Sequence, residues 1–341
     1  MTFLRTVIAC LLLLAGVAAG AAELKIATIA PENSSWMKAM RAGAAEIAER
    51  TDGRVRIKLY GGGVMGNDRK VLRKIRIGQL HGASFTASGL GDVYSDIHIY
   101  GLPLLFNSQE EVDYVRARMD EIFVQGLEDA GWVSFGFTGA GFPRIMSNEP
   151  IRSIEDFAGK KVWVPEGDVT TIAALKALGL SPVVLPLTDV LTALQTGLVD
   201  IVGASEVAAL VLQWHTKLKY VTDYPLIYIY ATLAVDKRYF DRLEPGDQDV
   251  VREVMSGIYE RFDVENLEDN EKATEVLKAN GIEYVEPAPG AIEAWRERVA
   301  DVNREEAENG LFSQEIFEKM LALIDEYRQQ VATAAVSPDA E

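Results

Sequence analysis

The histidines and glycines are the residues of this chain whose types and spacing could support catalysis or cofactor binding. The three histidines, His81, His98 and His215, form neither a His-Glu-x-x-His motif nor a pair with metal-ligand spacing. The glycine triplet at 61–63 lacks a following Gly-Lys-Ser/Thr, which favours a tight turn over a phosphate-binding loop. The segment 82–86 departs from a nucleophile elbow because its last position is not glycine. We therefore predict that the chain is not an enzyme and that it uses no cofactor and no metal.

The N-terminus carries the pattern of a secretory signal. Arg5 precedes an apolar run at 6–17, and small residues follow at 18–22. The run is shorter than the roughly 20 apolar residues that a membrane-spanning helix needs. Residues 1–22 are therefore predicted to be a cleavable signal peptide, and the mature protein is predicted to be periplasmic. The single cysteine, Cys10, lies inside this segment, so the mature chain has no thiol for a disulfide, a nucleophile or a metal site.

The charge balance limits the partners of the chain. Among its 341 residues the formal net charge is −17, and no cluster of lysines and arginines is interleaved with aromatic residues. An acidic surface repels phosphate backbones, so nucleic-acid binding is not expected. An anionic ligand would need a local positive site, because the general field of the protein repels it.

The elements that must position any site alternate between strands and helices. An apolar run at 24–30 predicts a strand, and Ser34 or Ser35 can cap the helix that follows. A half-buried strand at 55–59, a helix at 68–77 and a strand near His81 complete a β-α-β-α-β unit. Such a unit implies a largely parallel sheet with right-handed crossovers.

A second unit with the same alternation follows, and two such units suggest two lobes. Its predicted elements are a strand at 161–164, a helix at 169–178, a strand at 182–185, a helix at 188–196 and a strand at 199–202. The remainder is helical, with predicted helices at 245–279, 291–309 and 313–332. The small, polar tail at 333–341 is predicted to be disordered.

A series of motifs resembles the periplasmic receptors of TRAP (tripartite ATP-independent periplasmic) transporters, in the branch named for C4-dicarboxylates. The similarity covers about Leu24 to Arg328. The most specific part is the block Thr-Ala-Leu-Gln-Thr-Gly-Leu-Val-Asp at 192–200. The supporting motifs are Thr-Asp-Gly-Arg at 51–54, Gly-Leu-Pro-Leu-Leu-Phe at 101–106, Phe-Pro-Arg at 142–144, Asp-Phe-Ala-Gly-Lys-Lys-Val at 156–162 and Ala-Leu-Gly-Leu-Ser-Pro-Val at 177–183.

The resemblance implies a two-lobed α/β binding protein of type II-like architecture, with a hinge, a central cleft and long C-terminal helices. We expect the first lobe to contain 23–141 plus about 230–269, and the second to contain 142–229 plus about 270–332. The resemblance also implies that the lobes close around a small solute. Delivery to a small and a large membrane subunit, with transport driven by a sodium gradient, is implied as well.

The resemblance also directs attention to a substitution in the expected site. Family members commonly carry an arginine that grips the ligand carboxylate in the strand after the Gly-Lys-Lys motif, and here that position is Trp163. Arg144 matches a second family arginine and is the candidate replacement. In open α/β sheets the loops after the strands line the crevice, which adds the lower-grade candidates Phe85, Trp36 and the pair Gly203 and Ser205.

Three interpretations of these residues stay open. In the first, Arg144 holds a carboxylate and Trp163 stacks on the ligand body, so the solute is a small organic acid. In the second, the solute is neutral, aromatic or mostly apolar and Trp163 is its main platform. In the third, Trp163 is only core and Arg144 only a surface ion pair. A sensory ligand receptor is an alternative to transport, and a metal-free hydrolase is the least favoured class.

Overall fold

The computed structural model describes residues 21–336, except for the side chains of 87, 88, 335 and 336. The predicted signal peptide therefore lies outside the described residues except for its last two positions, and residues 337–341 lie outside them as well. The strands are β1 (Ala22–Ala27), β2 (Val55–Tyr60), β3 (Gly82–Thr86), β4 (Trp132–Gly139), β5 (Arg144–Ser147), β6 (Trp163–Pro165), β7 (Val183–Leu185), β8 (Ile201–Ala204), β9 (Tyr220–Thr222), β10 (Tyr230–Asp236) and β11 (Glu283–Val285). The helices are α1 (Ser35–Arg50), α2 (Asp68–Arg76), α3 (Ala87–Leu90), α4 (Gln109–Asp129), α5 (Val169–Ala177), α6 (Val190–Thr196), α7 (Glu206–Val211), α8 (Lys237–Phe240), α9 (Pro245–Ala279), α10 (Ala291–Glu308) and α11 (Gln314–Val336).

Short polar residues begin the helices, as local chemistry requires. The hydroxyl of Ser34 accepts a hydrogen bond from the Met37 amide at the start of α1, and Asn67 serves α2 in the same way. Proline at the first position of α9 has no amide hydrogen to leave unpaired, and this helix spans the predicted range. Among the described residues, no helix is long and apolar enough to cross a membrane.

The first lobe is built on a five-stranded sheet in the order β2-β1-β3-β10-β4. Strands β1, β2 and β3 are parallel, whereas β10 runs antiparallel between β3 and β4. Because β4 is antiparallel to β10, it runs in the same direction as β1, β2 and β3, and the prediction of a largely parallel sheet is confirmed for this lobe. The exception is β10, which returns from the second lobe and enters the sheet in the opposite direction. Helices α2, α4 and α11 cover one face of the sheet, and α1 and α9 cover the other.

The second lobe is smaller and its strands form two groups. One sheet has the order β11-β9-β5-β8, and β6 pairs with β7 alone, joined to β8 by a bridge between Val162 and Ile201. Helices α6 and α7 pack in one apolar cluster of this lobe, and α5 and α10 pack in another. The two-lobed α/β class predicted from the sequence is confirmed.

The C-terminal segment differs from its prediction. Phe317, Met320 and Ile324 of α11 lie in the apolar core of the first lobe beside α4, so the assignment of residues up to 332 to the second lobe is wrong for this helix. The helix also continues to Val336, although the tail was predicted to be disordered from residue 333. The apolar stripe of α11 indicated a helix, but its partner was not readable because α4 lies about 200 residues earlier in the chain.

Four segments connect the lobes, because α10 begins in the second lobe and ends beside α11 in the first. The links after β4 and before β10 pair with each other, since the Ala140 amide donates to the Ile229 carbonyl at 2.7 Å and the Leu226 amide donates to the Pro143 carbonyl at 3.1 Å. The third connection is α9, which buries Phe262 in the first lobe and Leu277 in the second. The two links thus form a short paired ribbon between the lobes.

A buried arginine anchors this ribbon to the first lobe. The guanidinium of Arg116 on α4 donates to Asp120 at 2.9 Å, to Asp263 on α9 at 2.9 Å and to the hydroxyl of Tyr228 in the ribbon at 3.0 Å. It also donates to the Phe137 carbonyl of β4 at 2.8 Å. Four elements therefore depend on one side chain.

We predict that Arg116→Met destabilises the protein strongly. It leaves Asp120 and Asp263 without their cation, and breaking a buried pair costs about 3–5 kcal/mol. The free energy of unfolding from urea titration measures the loss. The matched control is Arg118→Met on the exposed side of the same helix, for which we expect a change below about 1 kcal/mol. Equal losses in the two variants would contradict the role of Arg116.

Candidate ligand-binding cleft

A cavity of about 640 Å³ lies between the two lobes. The first lobe contributes Trp36, Asn67, Arg69 and His98 to its wall, and most of the remaining wall comes from the second lobe. Leucines, isoleucines, valines and aromatic residues outnumber the hydroxyl-bearing and charged residues of the lining. The site is therefore an apolar enclosure with a small number of polar groups, as small-molecule sites usually are.

Trp163 takes part in both the core and the cavity wall. Its side chain is 6% exposed, its indole N–H donates to the Leu185 carbonyl at 3.0 Å, and its ring meets Trp214 edge-on at 5.2 Å. The ring also lines the cavity. Because the single donor of the indole is used within the fold, Trp163 offers a ligand an apolar surface and no hydrogen bond.

The other two aromatic candidates, Trp36 and Phe85, lie in different environments. Trp36 is half-buried, lines the cavity and stacks on Phe262 with ring centroids 5.9 Å apart. Phe85 points instead into the core of the first lobe, where its ring meets Trp132 at 6.1 Å. Successive side chains of a strand face opposite sides, so it is the neighbour Thr86 that lines the cavity.

Gly203 and Ser205 both line the cavity, as the loop after β8 was expected to do. The Ser205 hydroxyl accepts a hydrogen bond from the Ala208 amide at 3.4 Å and so begins α7. Gly203 lies at the wall with open space beside it, since an added Cβ would have Pro143 as its neighbour at 4.0 Å. Neither residue brings a charge to the site.

Arg144 is already paired inside the fold. One guanidinium nitrogen lies 2.5 Å from the carboxylate of Glu206, and another lies 2.9 Å from Asp223. Glu206 is buried, and burial raises its pKa while the charge of Arg144 lowers it. Arg144 therefore compensates a buried acid beside the cleft, and its role in ligand binding stays a prediction.

The sequence reasoning missed the cation that does line the cavity. Arg69 lies in the first turn of α2, is exposed, and makes no hydrogen bond or ion pair within the described part of the chain. The sequence pattern predicted a helix at 68–77. It did not predict that the first turn of this helix faces the other lobe, because that orientation depends on how the lobes close.

Several acids line the same cavity as Arg69. Asp68, next to it, is half-buried, and burial raises its pKa to about 6. Glu166 of the second lobe accepts a hydrogen bond from the Asn67 amide group at 2.6 Å, which joins the lobes across the cleft. His98 is buried, and burial lowers its pKa although Asp168 across the cleft raises it. At neutral pH the imidazole is therefore uncharged and does not add to the positive charge of Arg69.

Two buried hydroxyls in the wall have no hydrogen-bond partner among the described residues. They are the side-chain oxygens of Thr171 on α5 and Tyr230 on β10. Buried polar atoms are normally satisfied, so both are positions where a ligand or a water is expected to bind. Within residues 21–336, no group of three or more His, Cys, Asp or Glu side chains could hold a metal ion.

Two α/β lobes, paired crossing segments and an enclosed apolar cavity define the class of two-lobed solute-binding proteins. The model of one family, described as bacterial extracellular solute-binding protein, family 7, matches residues 26–309. The chain belongs to this family. It is accordingly a solute-binding receptor and not an enzyme, and the resemblance seen in the sequence is confirmed.

Two curated relatives illustrate the family. The chain is 27% identical over 267 residues to the C4-dicarboxylate-binding periplasmic protein DctP of Rhodobacter capsulatus, covering 77% of this chain and 80% of the relative. It is 29% identical over 205 residues to the sialic acid-binding periplasmic protein SiaP of Vibrio cholerae, covering 58% and 63%.

Solved structures share the fold. The sugar acid binding protein DctPAm of Advenella mimigardefordensis, in complex with galactonate, has a TM-score of 0.82 at 20% identity, over 90% of this chain and 98% of that one. A TRAP periplasmic solute-binding protein of Ralstonia eutropha with bound (S)-2-acetolactate also has a TM-score of 0.82, at 22% identity, over 89% and 99%.

We predict that Arg144→Met lowers the free energy of unfolding by about 3 kcal/mol, because it leaves Glu206 buried without a partner. The double variant Arg144→Met, Glu206→Gln removes that charge and should recover most of the loss. Lys160→Met, which breaks only the exposed pair with Glu149, is the control, with a change below about 1 kcal/mol. No recovery in the double variant would show that Arg144 acts otherwise than by compensating Glu206.

Asp68 predicts a pH dependence of stability. Because its pKa rises from 3.8 to about 6 on folding, the folded chain binds this proton more tightly than the unfolded chain. Its contribution to stability is therefore greatest below pH 4 and is lost as the pH rises to about 6. We expect Asp68→Asn to raise the free energy of unfolding by about 1–2 kcal/mol at pH 7.5, and by less at pH 5.

Urea titrations at both pH values check this expectation. Asp325→Asn, an exposed position on α11, is the control and should change little at either pH. An equal effect of Asp68→Asn at pH 5 and pH 7.5 would show that burial does not shift this carboxyl group.

Proposed function

We propose that this chain captures a small organic acid in the cavity between its lobes and hands it to the small and large membrane subunits of a TRAP transporter. The observation that carries the proposal is the guanidinium of Arg69, which lines a largely apolar cavity and has no hydrogen-bond or ion-pair partner among the described residues. The protein has a net charge of −17, so a buried anion depends on such a local cation.

The relatives support an acidic solute. The two curated relatives are named for C4-dicarboxylates and sialic acid, and the two solved neighbours carry galactonate and acetolactate. All four are carboxylic acids. The names of the two curated relatives also support a periplasmic location for this chain, in agreement with the signal-like residues 1–22.

Arg69 replaces Arg144 as our first choice for the carboxylate partner. A ligand carboxylate could bind Arg144 only if Arg144 broke its ion pairs with the buried Glu206 and with Asp223. Arg69 has no such competing partner among the described residues, and its five donors can hold both oxygens of a carboxylate. Its position in the first turn of α2 also allows it to move with the first lobe during closure.

We predict that Arg69→Ala weakens binding of an acid at least tenfold and that Arg69→Lys, which keeps the charge but not the fork of donors, weakens it less. Arg73→Ala is the matched control, since Arg73 is exposed one turn later on the same helix. Isothermal titration of the periplasmic protein, after unfolding and refolding to remove any co-purified solute, gives the dissociation constants.

The same titration tests the alternative partner. If Arg144→Met abolishes acid binding while the double variant with Glu206→Gln stays folded and also fails to bind, Arg144 holds the carboxylate. If Arg69→Ala binds acids as tightly as Arg73→Ala does, the proposed role of Arg69 is wrong. Mass spectrometry of the solute released on unfolding identifies the natural ligand directly.

A further inference from the structure

The cavity continues from the cleft into the second lobe. There it reaches an inner chamber lined by Ile145, Phe157, Ala174, Leu178, Trp295 and Val299. These residues belong to the apolar cluster through which α5 and α10 pack on the sheet of this lobe. The inner chamber is thus a hollow within the core of the second lobe, and it opens to the cleft.

A cavity with apolar walls of this kind favours the binding of an apolar group. Protein interiors are packed as densely as organic crystals, and an unfilled cavity forfeits the contacts of every side chain around it. A cavity walled by leucine, isoleucine and aromatic rings also stays dry, because water finds too few hydrogen-bond partners in it. A guest that fills the inner chamber with carbon restores the lost contacts.

Few hydrogen-bonding groups face the inner chamber. The Thr171 hydroxyl, one turn before Ala174 on α5, is buried and without a partner among the described residues. The indole N–H of Trp163 is already used by Leu185. A sugar acid carries several hydroxyl groups, and each one buried without a partner weakens binding. The walls of the inner chamber therefore disfavour a polyhydroxylated ligand body there.

We propose that the receptor selects acids with a bulky apolar body, aromatic or branched aliphatic, over sugar acids. The apolar body occupies the inner chamber, the Thr171 hydroxyl meets at most one polar substituent, and the carboxylate lies toward Arg69 of the first lobe. The proposal rests on the proposed function, since it assumes that the cavity binds an acid.

The experiment compares three ligands on the refolded, ligand-free protein by isothermal titration. The ligands are 3-phenylpropanoate, glucuronate and the uncharged 3-phenylpropan-1-ol. We expect 3-phenylpropanoate to bind at least tenfold more tightly than glucuronate. Tighter binding of glucuronate overturns the proposal while leaving acid capture intact. Equal binding of the alcohol and the phenyl acid instead contradicts the proposed function and supports the apolar chamber.

Variants that fill the inner chamber locate the binding. Ala174→Phe is expected to weaken the binding of 3-phenylpropanoate at least tenfold. Lys176→Phe places the same ring on an exposed position of α5 and should change the affinity less than twofold. Val299→Phe narrows the chamber from α10 and supplies a second test if Ala174→Phe does not fold. Unchanged affinity in a folded chamber variant, or no binding of either phenyl compound to the native protein, overturns the proposal.

Discussion

The guanidinium of Arg116 holds together the place where the two lobes meet. It joins α4, β4, α9 and the ribbon at Tyr228 through two carboxylates, a hydroxyl and a carbonyl. Asp263 closes the network by accepting from the Gly139 amide at 2.6 Å, at the last residue of β4 before the chain crosses. A buried polar network whose members are all satisfied specifies one arrangement. The point where the lobes attach is therefore held in place.

The cavity follows from this construction of two cores with a hinge between them. Each lobe has its own apolar clusters, and the second lobe leaves part of its core hollow toward the cleft. The wall of the cavity combines a large apolar area with the guanidinium of Arg69, which is unpaired among the residues described, and with carboxylates such as Asp68 and Glu166. Under the proposed function, a solute must match two properties of the cavity. These are the positive charge of Arg69 at one end and the apolar volume in the second lobe at the other. The interlobe bond from Asn67 to Glu166 shows that the lobes meet directly next to that charge.

The candidate site was predicted best where local rules decide. Gly203 and Ser205 lie at the carboxyl end of β8, and the position of such ends at the crevice is a property of open α/β sheets. Trp163, at the start of β6, was chosen from the family resemblance and also lines the cavity. Phe85 was one residue away from the cavity, because alternation along β3 turns Thr86, not Phe85, toward it. Arg144 was chosen for its charge, and no local pattern indicates that Glu206, 62 residues later, pairs with it. Arg69 carried no distinguishing signal in the sequence.

The sequence by itself determined the α/β class, the helix starts near residues 34 and 68, the full extent of α9 and the family, because capping chemistry, apolar periodicity and ordered motifs act over a few neighbouring residues. Only the tertiary structure decided that β10 enters the first sheet antiparallel, that α11 returns to the first lobe, that Arg144 compensates Glu206, and that Arg69 faces the cavity. Each of these outcomes depends on groups tens to hundreds of residues apart in the chain. Their meeting is set by how packed surfaces and buried charges find partners, and no local pattern of residue types encodes that choice.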